Sequence, residues 1–180
     1  RPLGDYMAGV FTSRRHWRVE RLVYRAVGVD PDADQPWSTY LRSVLSFSFV
    51  SVIGLYVLLR VQHHLPYSLG FRGMGQAQSF NTAASFVTNT NWQSYSGEST
   101  LGYVAQMAGL AVQNFASAAV GIAVAIAMVR GFARSHTDHL GNFWVDLIRA
   151  IIRILLPTAV VLAVVLIADG AGENFPPTQV

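Results

Sequence analysis

The chain has 180 residues, of which 52% are hydrophobic and only 13% are charged, and its formal net charge is +3. This charged fraction is about half the ~25% that is usual for a soluble domain, so the composition argues against a soluble globular protein. The chain contains no cysteine, which excludes disulfides, thiolate chemistry and cysteine-bound zinc or iron–sulfur clusters.

Residues 1–41 form a basic segment that is predicted to stay outside the membrane, since 7 of the 13 arginines fall in residues 1–42. A predicted helix here carries arginines on one face, namely Arg15, Arg18, Arg21 and Arg25, and Gly28 can end it. Such a helix suits an anionic membrane surface, a protein partner or plain solvation, and the sequence leaves these three open.

Three apolar stretches are long enough to cross a membrane as helices. They are predicted over 42–60, 100–130 and 147–168, and the charged residues lie at or near their ends. The first is slightly short, but arginine at both ends can extend its polar head to the interface. Pro157 is tolerated inside the third helix, where we expect a kink. The alternative is a large soluble core built from buried helices.

A fourth uncharged stretch, from Gly73 to Gly97, has 25 residues but is rich in Ser, Thr, Asn and Gln. It cannot span lipid, because unpaired amides there cost several kcal/mol. Its helical part, Ser79 to Val87, would be about 14 Å long and would reach roughly halfway into a bilayer. We predict an outer connection over 61–78 and a re-entrant half-helix with a polar loop over 79–97. An ordinary polar loop outside the membrane is the alternative.

The arginines are distributed unequally between the two sides of such a membrane protein. Eleven lie in residues 1–42 and 130–153, and only Arg60 and Arg72 lie on the opposite side. Because cytoplasmic loops are enriched in Lys and Arg, residues 1–41 and 131–146 are predicted to be cytoplasmic. The re-entrant loop then enters from outside, and residues 169–180 emerge outside.

The polar loop is predicted to bind a cation through backbone carbonyls. Carbonyl oxygens can replace the water around an ion, and the C-terminus of a half-helix carries partial negative charge. The oxygens would come from Thr88, Asn89, Thr90 and Asn91. Because the loop has no carboxylate, K⁺ fits better than Ca²⁺ or Mg²⁺. One loop cannot surround an ion, so others must come from identical subunits or from further parts of the chain.

Other polar and aromatic residues are candidates for supporting this loop. Gln93 is expected near its mouth, and Trp92 either wedges the loop against helices or belongs to an interfacial belt. Gln113 and Asn114 are expected to face protein or water, either as support for the loop or as plain packing. Glu98 either attracts cations or caps the next helix.

The run from Ser79, SFNTAASFVTNTNWQSYSGESTLGYVAQMAGLAVQNFASAAVGIAVA, resembles the potassium-transporting ATPase A subunit (KdpA) family. RPLG, QHHLP and LGNFWVDLIR also resemble it. The resemblance implies an all-α integral membrane protein with three transmembrane helices and one re-entrant half-helix with its filter loop. This would be one repeat of a four-repeat, ten-span pore that is like a K⁺ channel, together with the next helix. The chain would then be the N-terminal third of such a protein, without its first helix.

The resemblance implies a K⁺-binding and translocating subunit of a bacterial ATP-driven potassium uptake complex in the inner membrane. Its partners would be an ATP-hydrolysing P-type B subunit, a C subunit, a small F subunit and membrane lipid, without nucleic acid. The sequence has no GxxxxGK[ST] and no DKTG motif, so no nucleotide site and no catalytic residue are expected in it. K⁺ is the only metal expected, because His136 and His139 form a weak ligand pattern. A homotetrameric cation channel and a membrane anchor without an ion site are the alternatives.

Overall fold

The computed structural model describes residues 1–134 and 137–171, and most of this part is helical. Its two short strands, β1 (Gln35–Pro36) and β2 (His139–Gly141), pair antiparallel. The prediction of an all-α protein is therefore confirmed. The helices, in chain order, are α1 (Pro2–Thr12), α2 (Arg18–Val27), α3 (Trp37–Val61), α4 (Gln76–Val87), α5 (Gly97–Thr100), α6 (Val112–Ala133), α7 (Phe143–Arg149) and α8 (Leu156–Ala168).

Three continuous helices are long and apolar enough to cross a membrane, as predicted. We call Trp37–His64 the first span, Ala105–Ala133 the second span and Phe143–Ala168 the third span; they have 28, 29 and 26 residues. At 1.5 Å per residue each is longer than a hydrocarbon core of about 30 Å. The first and third begin a few residues before the apolar stretches that revealed them, because helical backbone continues into the polar flanks.

Two of the spans contain a π-helical segment, in which the backbone hydrogen bonds reach one residue further than in an α-helix. One is Ala105–Ala111 in the second span, and the other is Ala150–Leu155 in the third. The latter directly precedes Pro157, which has no N–H and whose ring would clash with the carbonyl four residues earlier. A wider turn relieves that clash, so the irregularity expected at the proline takes this form.

The described chain divides into two compact units. The first unit consists of residues 1–44 and 119–171, and the second unit of residues 45–118. The predicted outer segment 169–180 is described only as far as residue 171, and His136 also lies outside the described residues.

Helix α2 packs against the third span within the first unit, and the face that it buries includes a charged residue. Its arginines are exposed, and Gly28 ends the helix in a left-handed conformation with φ of 72°, as expected. However, Val19 and Leu22 are 57% and 63% exposed, whereas Glu20 and Tyr24 are fully buried. A charged residue is therefore turned inward in place of two apolar ones.

The partner of Glu20 explains this orientation. Both of its carboxylate oxygens accept hydrogen bonds from Arg153 of the third span, at 2.5 and 2.6 Å. The Arg153 guanidinium also lies over the ring of Trp17, 4.7 Å from its centroid. Burial alone would raise the pKa of Glu20, but the hydrogen bonds from Arg153 and from the backbone of Trp17 outweigh it and hold that pKa below its usual value.

A second buried ion pair joins the second and third spans at the same unit. The guanidinium of Arg130 donates to both oxygens of Asp146, and the hydroxyl of Tyr40 donates to the same carboxylate at 3.1 Å. Arg130 also donates to the carbonyl of Leu140 at 3.0 Å. Because Asp146 is only 1% exposed, it depends on these donors for the stability of its charge.

The second unit has an apolar core that surrounds α4. Its buried members come from the first span, α4, the second span and the segments on either side of α4, and include Leu55, Leu59, Met74, Phe86, Leu101 and Leu110. Fully buried Gln62 ties the loops above this core together. Its amide nitrogen donates to the carbonyls of Arg72 and Thr100, and its amide oxygen accepts from the N–H of Gly102 at 3.3 Å.

The chain enters α4 through a close backbone contact at Gly73. A Cβ at this position would lie 2.2 Å from the carbonyl oxygen of Arg60, so only glycine fits. Next to it, Met74 donates its N–H to Leu59 and accepts a hydrogen bond from the Arg60 guanidinium at 2.6 Å. These contacts fix the N-terminal end of α4 against the first span.

Candidate functional site

The predicted loop follows α4 directly and is held by the end of that helix. Five successive N–H groups, from Thr88 to Trp92, donate hydrogen bonds of 2.7 to 3.3 Å to its last turn. The acceptors are the carbonyls of Ala84, Ser85 and Phe86, with the hydroxyl of Ser85 accepting from Trp92. The loop thus caps helix carbonyls that would otherwise lack partners.

This pattern determines where the loop's own carbonyls point. In a trans peptide the C=O of one residue is antiparallel to the N–H of the next, and no peptide bond in the chain is cis. Since the N–H groups of residues 89–92 aim at the end of α4, the carbonyls of residues 88–91 aim away from it. Among residues 1–134 and 137–171, none donates a hydrogen bond to these four oxygens. Residues 88–91 therefore present a row of free carbonyls.

The backbone conformation that produces this row is unusual for side-chain-bearing residues. Asn89 and Asn91 have φ of 59° and 58°, in the left-handed region, whereas Thr88 and Thr90 do not. Asparagine is among the few residues other than glycine that visit this region readily. In TNTN the two asparagines thus occupy the positions with left-handed backbone, and the two threonines occupy the positions without it.

Side chains brace the same backbone. The hydroxyls of Thr88 and Thr90 lie 3.0 Å apart in a hydrogen bond, and that of Thr88 also donates to Ala84 at 2.9 Å. From the second span, the hydroxyl of Ser117 donates to the side-chain oxygen of Asn89 at 3.2 Å. The structure therefore brings all four predicted loop residues together in one braced turn.

The predicted supporting residues lie in different surroundings. Trp92 is 78% exposed and does not wedge the loop against a helix of the described chain. Gln113 is 7% exposed, and its amide nitrogen has no hydrogen-bond partner among the described residues. Neither Gln113 nor Asn114 donates a hydrogen bond to residues 88–91 in that part of the chain. The bond between the second span and the loop comes from Ser117 instead.

Gln93 and Asn114 nevertheless lie together, at a cavity of about 390 Å³ beside the loop. Glu98 also lines this cavity. It lies in the first turn of α5, where its carboxylate accepts a hydrogen bond from the hydroxyl of Ser96. That bond lowers the pKa of Glu98, so a negative charge stands at the cavity at neutral pH.

Two residues that the sequence analysis did not assign to the loop prove central to its geometry. Ser85 binds three of the five loop N–H groups, through its carbonyl and its hydroxyl, and Ser117 holds Asn89. A signal existed for Ser85, since serine near a helix end often bonds to nearby backbone. Ser117 gave none, because its contact joins positions 28 residues apart.

The arrangement can bind a dehydrated monovalent cation. Four neutral carbonyl oxygens offer lone pairs on one side, and residues 88–93 contain no carboxylate or other charged side chain. The helix end contributes less directly than expected, because the loop N–H groups occupy its last carbonyls. No group of three or more His, Cys, Asp or Glu suited to a metal ion occurs among the described residues.

The whole chain is similar to known proteins. Residues 1–180 match the family described as "Potassium-transporting ATPase A subunit". Among similar proteins, the "Potassium-transporting ATPase potassium-binding subunit" of Streptomyces avermitilis is 63% identical over 97% of this chain and 32% of its own length. The proteins of the same name from Clavibacter michiganensis and Mycolicibacterium smegmatis are 62% and 61% identical, with similar coverage. The chain thus spans about a third of these relatives' length.

Proposed function

Because the chain belongs to the potassium-transporting ATPase A subunit family, we propose that residues 88–91 form one part of a K⁺ selectivity filter. The free carbonyls of Thr88, Asn89, Thr90 and Asn91 replace water around the ion, and equivalent loops outside these 180 residues complete the ring. The observation that carries the proposal is the set of N–H groups from Thr88 to Trp92, all turned toward the end of α4.

The chain then acts as the K⁺-binding, channel-like subunit of an ATP-driven uptake complex. Support comes from the name of the relatives, which describes a potassium-binding subunit of a potassium-transporting ATPase. In this proposal ATP is hydrolysed by a separate P-type B subunit, and a C subunit and a small F subunit complete the assembly. The contribution of this chain is ion binding and selectivity, and it holds no nucleotide site.

We further propose that the complex lies in the bacterial inner membrane and that α4 enters the bilayer from outside as a re-entrant half-helix. Helix α4 has 12 residues, or about 18 Å, which is too short to cross the bilayer. The arginine distribution supports a cytoplasmic location for residues 1–41 and 131–146. Gln93 and Glu98 would then stand at the outer mouth, where negative charge attracts cations.

Replacement of Ser85 by alanine tests the filter directly. The substitution removes the hydroxyl that accepts from Trp92 N–H and leaves the rest of α4 intact, so residues 88–92 lose one restraint. We expect K⁺ affinity to fall about tenfold and discrimination against Na⁺ to weaken, because the loop loses one hydrogen bond that holds its backbone in place. The measurement is the concentration dependence of K⁺ uptake by cells that carry the full-length protein and lack other K⁺ importers.

The matched control is Ser99→Ala in α5, an exposed serine whose hydroxyl bonds only to the carbonyl of Ser96. It should leave uptake unchanged. If Ser85→Ala retains both the wild-type K⁺ affinity and the wild-type K⁺/Na⁺ ratio, residues 88–91 are not the selective element.

A further inference from the structure

A second cavity lies in the first unit, in a part of the chain that the proposed filter does not use. Its volume is about 460 Å³, and it is open on one side. The walls come from the segment after α1, the loop before β1 and the start of the third span. Unlike the filter loop, it is lined by charged side chains.

Most of the charges on its walls cancel in pairs. Arg130 is bound to Asp146, and Asp34 is bound to Arg134 at 3.2 Å and to the N–H of Gly141 at 2.8 Å. What remains is two arginines, Arg14 and Arg149, against one exposed carboxylate, that of Asp32. When Arg134, which does not itself line the cavity, is counted as the partner of Asp34, one positive charge remains in excess.

Arg149 is the unusual member of this set. It is only 3% exposed, and among the described residues no carboxylate lies within ion-pair distance of it. Its two terminal nitrogens donate to neutral carbonyls, those of Val10 at 3.2 Å and Arg15 at 3.4 Å, and its Nε has no hydrogen-bond partner in the part of the chain that the structure describes. Glu20 and Asp146 lie near enough to interact electrostatically with Arg149, but each is bound to another arginine, so Arg149 has no carboxylate of its own.

The neighbouring imidazole does not supply the missing negative charge. His16 lies 3.5 Å from the Arg149 guanidinium and lines the same cavity. Burial and the positive charge of Arg149 hold the pKa of His16 below its usual value, so its ring is uncharged at neutral pH. It can accept a hydrogen bond from Arg149, but it brings no negative charge.

We propose that this cavity binds a phosphate-bearing anion, with Arg149 at its base and Arg14 at its opening. Arginine is the side chain best suited to phosphate oxygens, because its planar donors match their geometry. The hydroxyl of Ser13, which also lines the cavity, offers a further donor. The phosphate belongs either to a phospholipid headgroup or to a free ion in solution.

The position of the cavity in the chain is compatible with either source. Arg149 follows the start of the third span at Phe143 by six positions, and Arg130 precedes the end of the second span at Ala133 by three. Basic pockets near the ends of membrane helices are common binding sites for anionic headgroups. The proposal concerns residues far in sequence from 88–91 and does not depend on the filter.

The test uses the full-length protein in its purified membrane complex and two probes, inorganic phosphate and phosphatidylglycerol. Phosphate affinity is measured from the shift of the thermal unfolding midpoint, and retained lipid is counted by native mass spectrometry after delipidation. Arg14→Ala, at an exposed position, should weaken binding about tenfold without disturbing the fold. Arg149→Gln should abolish it. Arg18→Ala removes an exposed arginine that does not line the cavity and is the matched control.

Retention of phosphatidylglycerol that Arg14→Ala reduces and Arg18→Ala does not would assign a lipid headgroup. Phosphate binding with the same dependence, and no retained lipid, would assign a free anion. If neither probe binds, or if Arg14→Ala and Arg18→Ala have equal effects, the cavity is not an anion site and the proposal is overturned. Because Arg14 is exposed, its replacement should not disturb the fold. This outcome therefore does not depend on whether the Arg149→Gln protein folds.

Discussion

Three arginines at the ends of the second and third spans look alike in the sequence but have different environments. Arg130 and Arg153 form buried ion pairs, with Asp146 and Glu20, whereas Arg149 has no carboxylate partner in the described chain. In the sequence, all three arginines served only to predict which side of the membrane is cytoplasmic. More could not be inferred, because Glu20 and Arg153 are 133 positions apart and only the folded chain brings them together.

The environment of His16 leads to a prediction about pH. The folded protein holds the pKa of His16 below the ordinary 6.5, first because of burial and then because of Arg149. The unfolded chain therefore binds more protons than the folded one as the pH falls below about 6.5, and the protein loses stability there. Thermal unfolding midpoints between pH 7.5 and pH 5.5 should fall less in His16→Gln than in the wild type. Equal slopes for the two proteins would show that His16 does not titrate in this way.

At the scale of elements, the spans were predictable and their irregularities were not. A membrane-spanning helix can be recognised from a short stretch of sequence, because about 20 consecutive residues must be mostly apolar. This requirement located all three spans. The position of α4 was also recognisable from the polar run that follows it. The π-helical segment Ala105–Ala111 was not, since it depends on packing in which Gly109 approaches Leu55 and Leu58.

The entry into α4 gives a prediction at this scale. Gly73→Ala should lower the free energy of unfolding by about 1–3 kcal/mol and weaken K⁺ binding, because its Cβ would collide with the carbonyl of Arg60 and displace the start of α4. Gly75→Ala is the matched control two positions later, where a Cβ meets nothing within 4 Å. Thermal unfolding and K⁺ uptake measure the two effects. Similar results for both variants would contradict the assigned role of the Gly73 contact.

For the molecule as a whole, composition and charge predicted the class of protein and a direction of insertion. Cation binding by the backbone carbonyls of residues 88–91 was predicted from the sequence. The direction in which these carbonyls point was not, since it depends on which way the N–H groups of the loop turn. The support from Ser85 and Ser117 and the clamp at Gln62 could not be read from composition, because each depends on hydrogen bonds that appear only on folding.

The direction of insertion can be measured because these 180 residues contain no cysteine. Single cysteines at exposed positions, Ala26→Cys in α2 and Ser94→Cys after the loop, report the two sides. In full-length protein without other cysteines, a membrane-impermeant maleimide should label Ser94→Cys in intact cells and Ala26→Cys only after permeabilisation, because arginine-rich segments stay in the cytoplasm. Labelling of Ala26→Cys in intact cells would reverse the proposed orientation.

The way in which α4 holds the loop has a consequence for how the proposed filter can arise. Every N–H from Thr88 to Trp92 finds its acceptor within residues 84–86, so the N–H contacts that shape the loop all lie within residues 84–92, and Ser117 adds a brace from the second span. A loop whose N–H groups bind the helix turn just before it can be copied along a gene or contributed by another chain, and its carbonyl oxygens would still point in the same direction. Duplication of this short stretch would thus supply further sets of the carbonyl oxygens that are proposed to bind the ion. The copies could afterwards diverge in the side chains around them.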